Sequence, residues 1–191
     1  MAITLDDVRL GEIYYGYLLE LARTSPGATV RYGALVERAK AEYPDDEIVQ
    51  GAITTNIGRR LDLVNAFCRK HELPDLGCLA VNATDKPANT YDKFLQWEEE
   101  KAKVAAFDWA SVDLLWQAHV TAERKSATPL VKRPREEAEK LLRMHWVGRN
   151  NQTPPKYPAR IDNTQKELIL RALQRGVDPD SAFDDVLFPS V

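Results

Sequence analysis

Apolar residues at Ile13, Tyr14, Tyr17, Leu18 and Leu21 recur at spacings of one, three and four. On a helix of 3.6 residues per turn they form one stripe about 100° wide, which predicts an amphipathic helix. Thr4 and Asp7 stand where a capping box would start it, and Ser25-Pro26-Gly27 ends it. Ala28 to Tyr32 is a short β-favouring segment, after which Gly33 turns the chain into a helix carrying Leu35, Val36 and Ala39. From Glu47 to Glu72 the apolar positions Ile48, Ile53, Ile57, Leu61, Val64 and Cys68 keep helical period, with a break at Gly51 or Gly58, so two helices or one bent helix are predicted. Leu73-Pro74-Asp75 stops it, and Leu76 to Val81 is short and apolar enough to read as a buried strand.

Thr84 to Pro87 supplies a turn, and Ala88 to Tyr91 is placed to begin the return arm of a β-wing. Helix, strand-like entry, two helices, strand and turn is the winged-helix order. One or two further helices follow, marked by Phe94, Leu95, Trp97, Val104 and Phe107 and then by Val112, Leu115, Trp116 and Val120, with an interruption near Phe107-Asp108-Trp109. Thr121 to Pro134 is polar, holds Pro129 and Pro134, and reads as a linker. Arg135 to Val147 is a basic amphipathic helix, Asn150 to Pro158 an extended connector, and Ile161 to Arg175 a helix stopped by Gly176. Asp178 caps a last short turn with Ala182, Phe183, Val186 and Leu187. The expected fold is mainly α with a small β-hairpin (α+β), organised as a winged-helix-like domain over 1–120, a linker over 121–134 and a basic helical region over 135–191.

Composition leaves this picture globular, with 44% hydrophobic and 29% charged residues. No apolar run approaches the roughly 18 residues of a membrane helix, and the first ten residues are acidic where a signal peptide would be basic. A cytoplasmic location without membrane contact is expected, with Cys68 and Cys78 as free thiols. Charge is segregated: residues 1–57 hold 5 bases against 9 acids, 129–175 hold 11 against 5, and 176–191 hold 4 acids and no base. A basic stretch inside an acidic chain is either an anion-facing surface or a solvated helix face.

Val30-Arg31-Tyr32-Gly33 with Leu35, Ile57-Gly58-Arg59-Arg60-Leu61, and Leu73-Pro74 through Cys78, Val81, Asp85 and Tyr91 together resemble the winged-helix domain of the O6-alkylguanine-DNA alkyltransferases and their alkyltransferase-like relatives. The resemblance spans residues 27–91, about a third of the chain. It implies a DNA-binding helix-turn-helix scaffold in which Thr54, Thr55, Asn56, Arg59 and Arg60 meet phosphates or base edges. The family's reaction needs a thiolate made by an adjacent histidine in a Pro-Cys-His-Arg motif, and this chain has Gly77-Cys78-Leu79-Ala80 instead. Without that imidazole little thiolate forms at neutral pH, so alkyl transfer is not expected and Cys78 reads as a core residue.

No other catalytic constellation is assigned. Cys68, His71 and Cys78 lack a fourth zinc ligand nearby, His119 and His145 lack a partnered nucleophile, and no phosphate-binding glycine loop occurs. Neither metal nor cofactor is called for. A second candidate surface comprises Lys132, Arg133, Arg135, Arg143, Arg149, Lys156 and Arg160, with Lys140 among them and Trp146 and Tyr157 interleaved. Cations with stackable rings suit nucleic acid. Equally, Leu142, Trp146 and Tyr157, with Leu141 and Val147, suit the buried side of a protein-binding helix. Two functions follow: a non-enzymatic accessory or regulatory protein that contacts DNA or RNA phosphates, or a protein-interaction module, such as a subunit or regulator from a mobile element or defence system, that docks through the winged helix.

Overall fold

The computed structural model describes residues 3–87, 94–127 and 130–188. The chain forms two compact units, Met1–Thr128 and Pro129–Ser190. It is mainly helical, as the apolar periodicity indicates. No helix among the described residues is long and apolar enough to cross a membrane.

The first unit is built on α1 (Leu5–Thr24) and α4 (Ile57–Lys70). Thr4 and Asp7 close the capping box that starts α1, each side chain taking the other's backbone N–H. Gly11 lets the two helices approach, because a Cβ there would meet the Arg60 carbonyl at 2.8 Å. Around this pair lie α2 (Tyr32–Glu42), α3 (Glu47–Gln50), α5 (Phe94–Ala106) and α6 (Asp113–Ser126). The predicted break at Gly51 is present, since α3 stops there and a 3-10 turn at Thr54–Asn56 leads into α4. The core is aromatic at one end, where Tyr15 stacks on Trp116 at 3.7 Å and Phe67 meets both rings edge-on.

The strands paired among the described residues are not the two arms of the expected hairpin. Val30–Arg31 (β1) and Ala80–Val81 (β2) pair in parallel, Val30 opposite Ala80. Leu76–Leu79 is a 3-10 turn rather than a strand: the Asp75 carboxylate accepts from the Gly77 N–H at 3.0 Å, and the Asp75 carbonyl from the Cys78 N–H. That local Asp-led turn competes successfully with extension. The predicted return arm from Ala88 to Tyr91 lies outside the described residues.

The second unit contains α7 (Arg135–Asn150), α8 (Asn163–Gln174) and α9 (Pro179–Leu187). Its interior is Ala138, Leu142, Tyr157, Ile169, Leu170, Leu173, Val177, Ala182, Phe183 and Val186. A second capping box, Asp162 with Gln165, starts α8, and Gly176 ends it at φ 100°. The expected linker is shorter than its polar composition suggests. Thr121 to Ser126 is the last two turns of α6, and Arg133 donates its N–H to Gln174 O at 2.8 Å, which places the segment before α7 against the end of α8. Polar residues on the wet side of a helix carry the same compositional signal as a linker.

Candidate functional site

The two arginines expected to meet nucleic acid in the first unit are held by an internal carboxylate instead. Asp7, only 2% exposed, accepts from Thr4 Oγ1 at 2.7 Å and from Arg59 Nε and Nη2 at 3.2 and 3.0 Å. Its second oxygen is ion-paired with Arg60 Nη1. Arg60 is 5% exposed, so its guanidinium is a core group that ties α4 to the start of α1. This corrects the assignment of Arg59 and Arg60 to a solvent-facing recognition surface. The physical reason is the capping box, whose carboxylate has lone pairs left over and sits where the α1–α4 crossing brings two arginines. Of the neighbouring candidates, Thr54 is exposed and Thr55 is half-buried. The Asn56 side chain lies outside the described residues.

Elsewhere in residues 27–91, Arg31 donates to both Asp85 oxygens at 2.8 and 2.6 Å, fastening β1 to the turn after β2. Cys78 is buried, its carbonyl accepts from the Trp97 indole at 2.8 Å, and burial pushes its thiol well above the ordinary range. Cys68 is pushed up to about 12 by the same cause. Burial lowers the pKa of His119, whose Nε2 lies 3.3 Å from Leu63 O inside the aromatic core. Among the described residues no cluster of three or more histidine, cysteine or acidic side chains is arranged to hold a metal ion.

Of the seven cations expected to meet nucleic acid, the second unit uses four internally. Arg149 Nη2 meets both Asp180 oxygens at 2.7 and 2.6 Å, and Lys156 bridges Asp180 and Asp184 at 3.2 and 2.9 Å. Arg135 joins Glu139 to Glu167, and Arg133 Nη1 caps α8 through the carbonyls of Leu173 and Val177. Each of these four is therefore committed to an acceptor of its own unit, contrary to a continuous phosphate-facing stripe. Arg143 and Arg160 remain exposed without a carboxylate partner among the described residues, as does Lys140. Lys132 is exposed as well.

Of the residues read as partner-binding, Leu142 and Trp146 lie on the packed side of α7 and Tyr157 packs there from the connector that follows it. Leu142 and Tyr157 are buried, and the half-buried Trp146 lies parallel to Tyr157 at 6.2 Å and near Phe183 at 6.1 Å. The surface left open is the opposite side of α7. Met144 is 63% and Val147 54% exposed, three residues apart and therefore neighbours on the helix, with Lys140 and Arg143 one turn back. The signal for this face was in the sequence: Leu141, Leu142, Met144, Trp146 and Val147 point around more than half of the helix, more than two neighbouring helices can cover. Comparison with protein-family models, with curated proteins and with solved structures gives no match for the chain.

Proposed function

We propose that the chain is a non-catalytic protein-interaction module whose second unit docks an acidic, amphipathic segment of a partner protein on the outward side of α7. The observation that carries this reading is the pairing of Met144 and Val147, both exposed, with Lys140 and Arg143, cations that no carboxylate among the described residues neutralises. An apolar centre beside positive charge asks for a partner with apolar anchors and acidic flanks. Phosphates would satisfy Lys140 and Arg143 but leave the two apolar side chains against a hydrophilic backbone, so nucleic acid fits this face less well.

The test is anisotropy of a labelled helical peptide with leucines at i, i+3 and i+7 and glutamates between them, titrated with the full chain beside labelled duplex and single-stranded DNA. Saturable peptide binding that disappears in Met144→Glu and Val147→Glu, and weakens in Arg143→Glu, is expected. DNA binding with no peptide binding would overturn the reading in favour of a nucleic-acid accessory role.

A further inference from the structure

A different helix carries a second exposed apolar face, and its pattern specifies its own partner. On α6, Trp116, His119 and Val120 point into the first unit's core. The opposite side presents Leu114 and Leu115, 85% and 43% exposed, followed by exposed Ala118 and Ala122. At 100° per residue these four side chains fall within one quadrant or little more of the helix surface. The face is graded: two large side chains at its N-terminal end, two small ones at its C-terminal end. It is graded in charge as well. Exposed Asp108 stands before the N-terminal end, and exposed Lys125 lies at the C-terminal end with no ion pair among the described residues. The neighbouring ions Asp113 and Arg124 are already matched within the unit, to Arg23 at 3.4 Å and Glu12 at 2.8 Å.

A surface that is large and acidic at one end, small and basic at the other, is complementary to itself when turned around. We propose that α6 is a self-association face, on which two copies of the chain pair their α6 helices antiparallel about a two-fold axis at Ala118. Leu114 of one copy then lies against Ala122 of the other, Ala118 against Ala118, and Lys125 approaches the end carrying Asp108. The alanines let the helices approach while each leucine fills the space beside the opposing alanine, which is ridge-into-groove packing with a closed, isologous symmetry. The α7 face does not share this property, because turning it around Met144 and Val147 sets Lys140 and Arg143 against residues 148–151 of the other copy, which hold no acid. A single 14-residue helix covers less than the roughly 800 Å² per partner of a standard stable interface, so the pairing is concentration-dependent.

The experiment combines sedimentation equilibrium of the full chain with cysteine cross-linking. The average mass of the unmodified chain should rise from one chain toward two with concentration, and Ala118→Glu, which sets two carboxylates on the axis, should hold it at one. Under mild oxidation Ala118→Cys should form disulfide-linked dimer several-fold faster than Leu114→Cys alone, whose two copies are offset by about 12 Å at 1.5 Å per residue. A mixture of Leu114→Cys and Ala122→Cys chains should cross-link like Ala118→Cys. The native Cys68 and Cys78 are buried and do not compete. A mass of one chain at every concentration, self-linking of Leu114→Cys at least as fast as Ala118→Cys, or association that Met144→Glu abolishes and Ala118→Glu does not, would each overturn the proposal. None of these results depends on whether α7 binds an acidic peptide.

Discussion

Asp7 does two jobs through two oxygens, closing the cap of α1 and holding the charges of Arg59 and Arg60 inside the first unit. Removing one member of a buried ion cluster leaves the others without compensation, which costs more than the cluster itself contributes. Asp7→Asn is therefore expected to destabilise the first unit by about 3–5 kcal/mol, whereas Asp7→Asn combined with Arg60→Met should recover most of that loss. Denaturant midpoints, with amide exchange on α1 and α4, read both values; a single-variant loss below about 1 kcal/mol would show that Arg60 reaches solvent. The cap itself was legible, because Thr4 and Asp7 are three residues apart and capping is a local interaction. The ion cluster was not, because Asp7 and Arg59 are 52 residues apart and meet only through the crossing at Gly11. Two adjacent arginines at the start of a helix read as solvent-facing unless an unpaired carboxylate is known to lie opposite.

At the scale of elements, helices with a strong 3.6-residue period were read correctly in kind, and so was the stop at Gly176, while the break left open between Gly51 and Gly58 falls at Gly51. Of the run Leu76 to Val81 only Ala80 and Val81 are extended, because a six-residue apolar run is too short to show a period that distinguishes extended chain from a tight turn, and Asp75 turns its first four residues. In the second unit a charged cluster joins three elements: His145 and Arg149 from α7, Lys156 from the connector, and Asp180 and Asp184 from α9. His145 Nε2 lies 3.0 Å from the Tyr157 hydroxyl and 3.6 Å from Asp180, and burial depresses its pKa despite the nearby carboxylate. Burial raises the Asp180 carboxyl, but hydrogen bonds from Arg149 and Lys156 outweigh it and leave its pKa below the ordinary value. For both groups the unfolded chain takes up a proton at higher pH than the folded one, so stability rises with pH across each window. The second unit should be most stable above the ordinary imidazole pKa of about 6.5, lose a first increment as pH falls below it, and a second below the ordinary carboxyl value of about 3.9. Amide exchange on α7 and α9 as a function of pH reads this. The first step should vanish in His145→Phe, and its persistence there would mean another group is responsible.

Charge over the whole molecule is divided as the sequence suggested, residues 1–128 carrying 15 bases and 20 acids and residues 129–190 carrying 11 and 9. What the sequence could not show is how little of the basic excess is available to a ligand. Nine lysines and arginines were assigned to nucleic-acid contact, and a slope of about 0.9 per neutralised phosphate would give log K against log salt a slope near 8 if all nine engaged. Arg59 and Arg60 are held by Asp7, Arg149 and Lys156 by the α9 acids, Arg135 by Glu139 and Glu167, and Arg133 by the α8 carbonyls. A phosphate replacing one of these partners would strand a carboxylate or a helix end, so exchange gives little net gain. Whatever binding to duplex DNA the full chain shows at low salt should thus follow a slope no steeper than about 3, and fall in Arg143→Glu and Arg160→Glu rather than in Arg59→Gln. Filter binding between 50 and 300 mM salt (about sixfold in concentration) gives that slope directly, and a value near 8 would mean that the internal ion pairs open to admit nucleic acid.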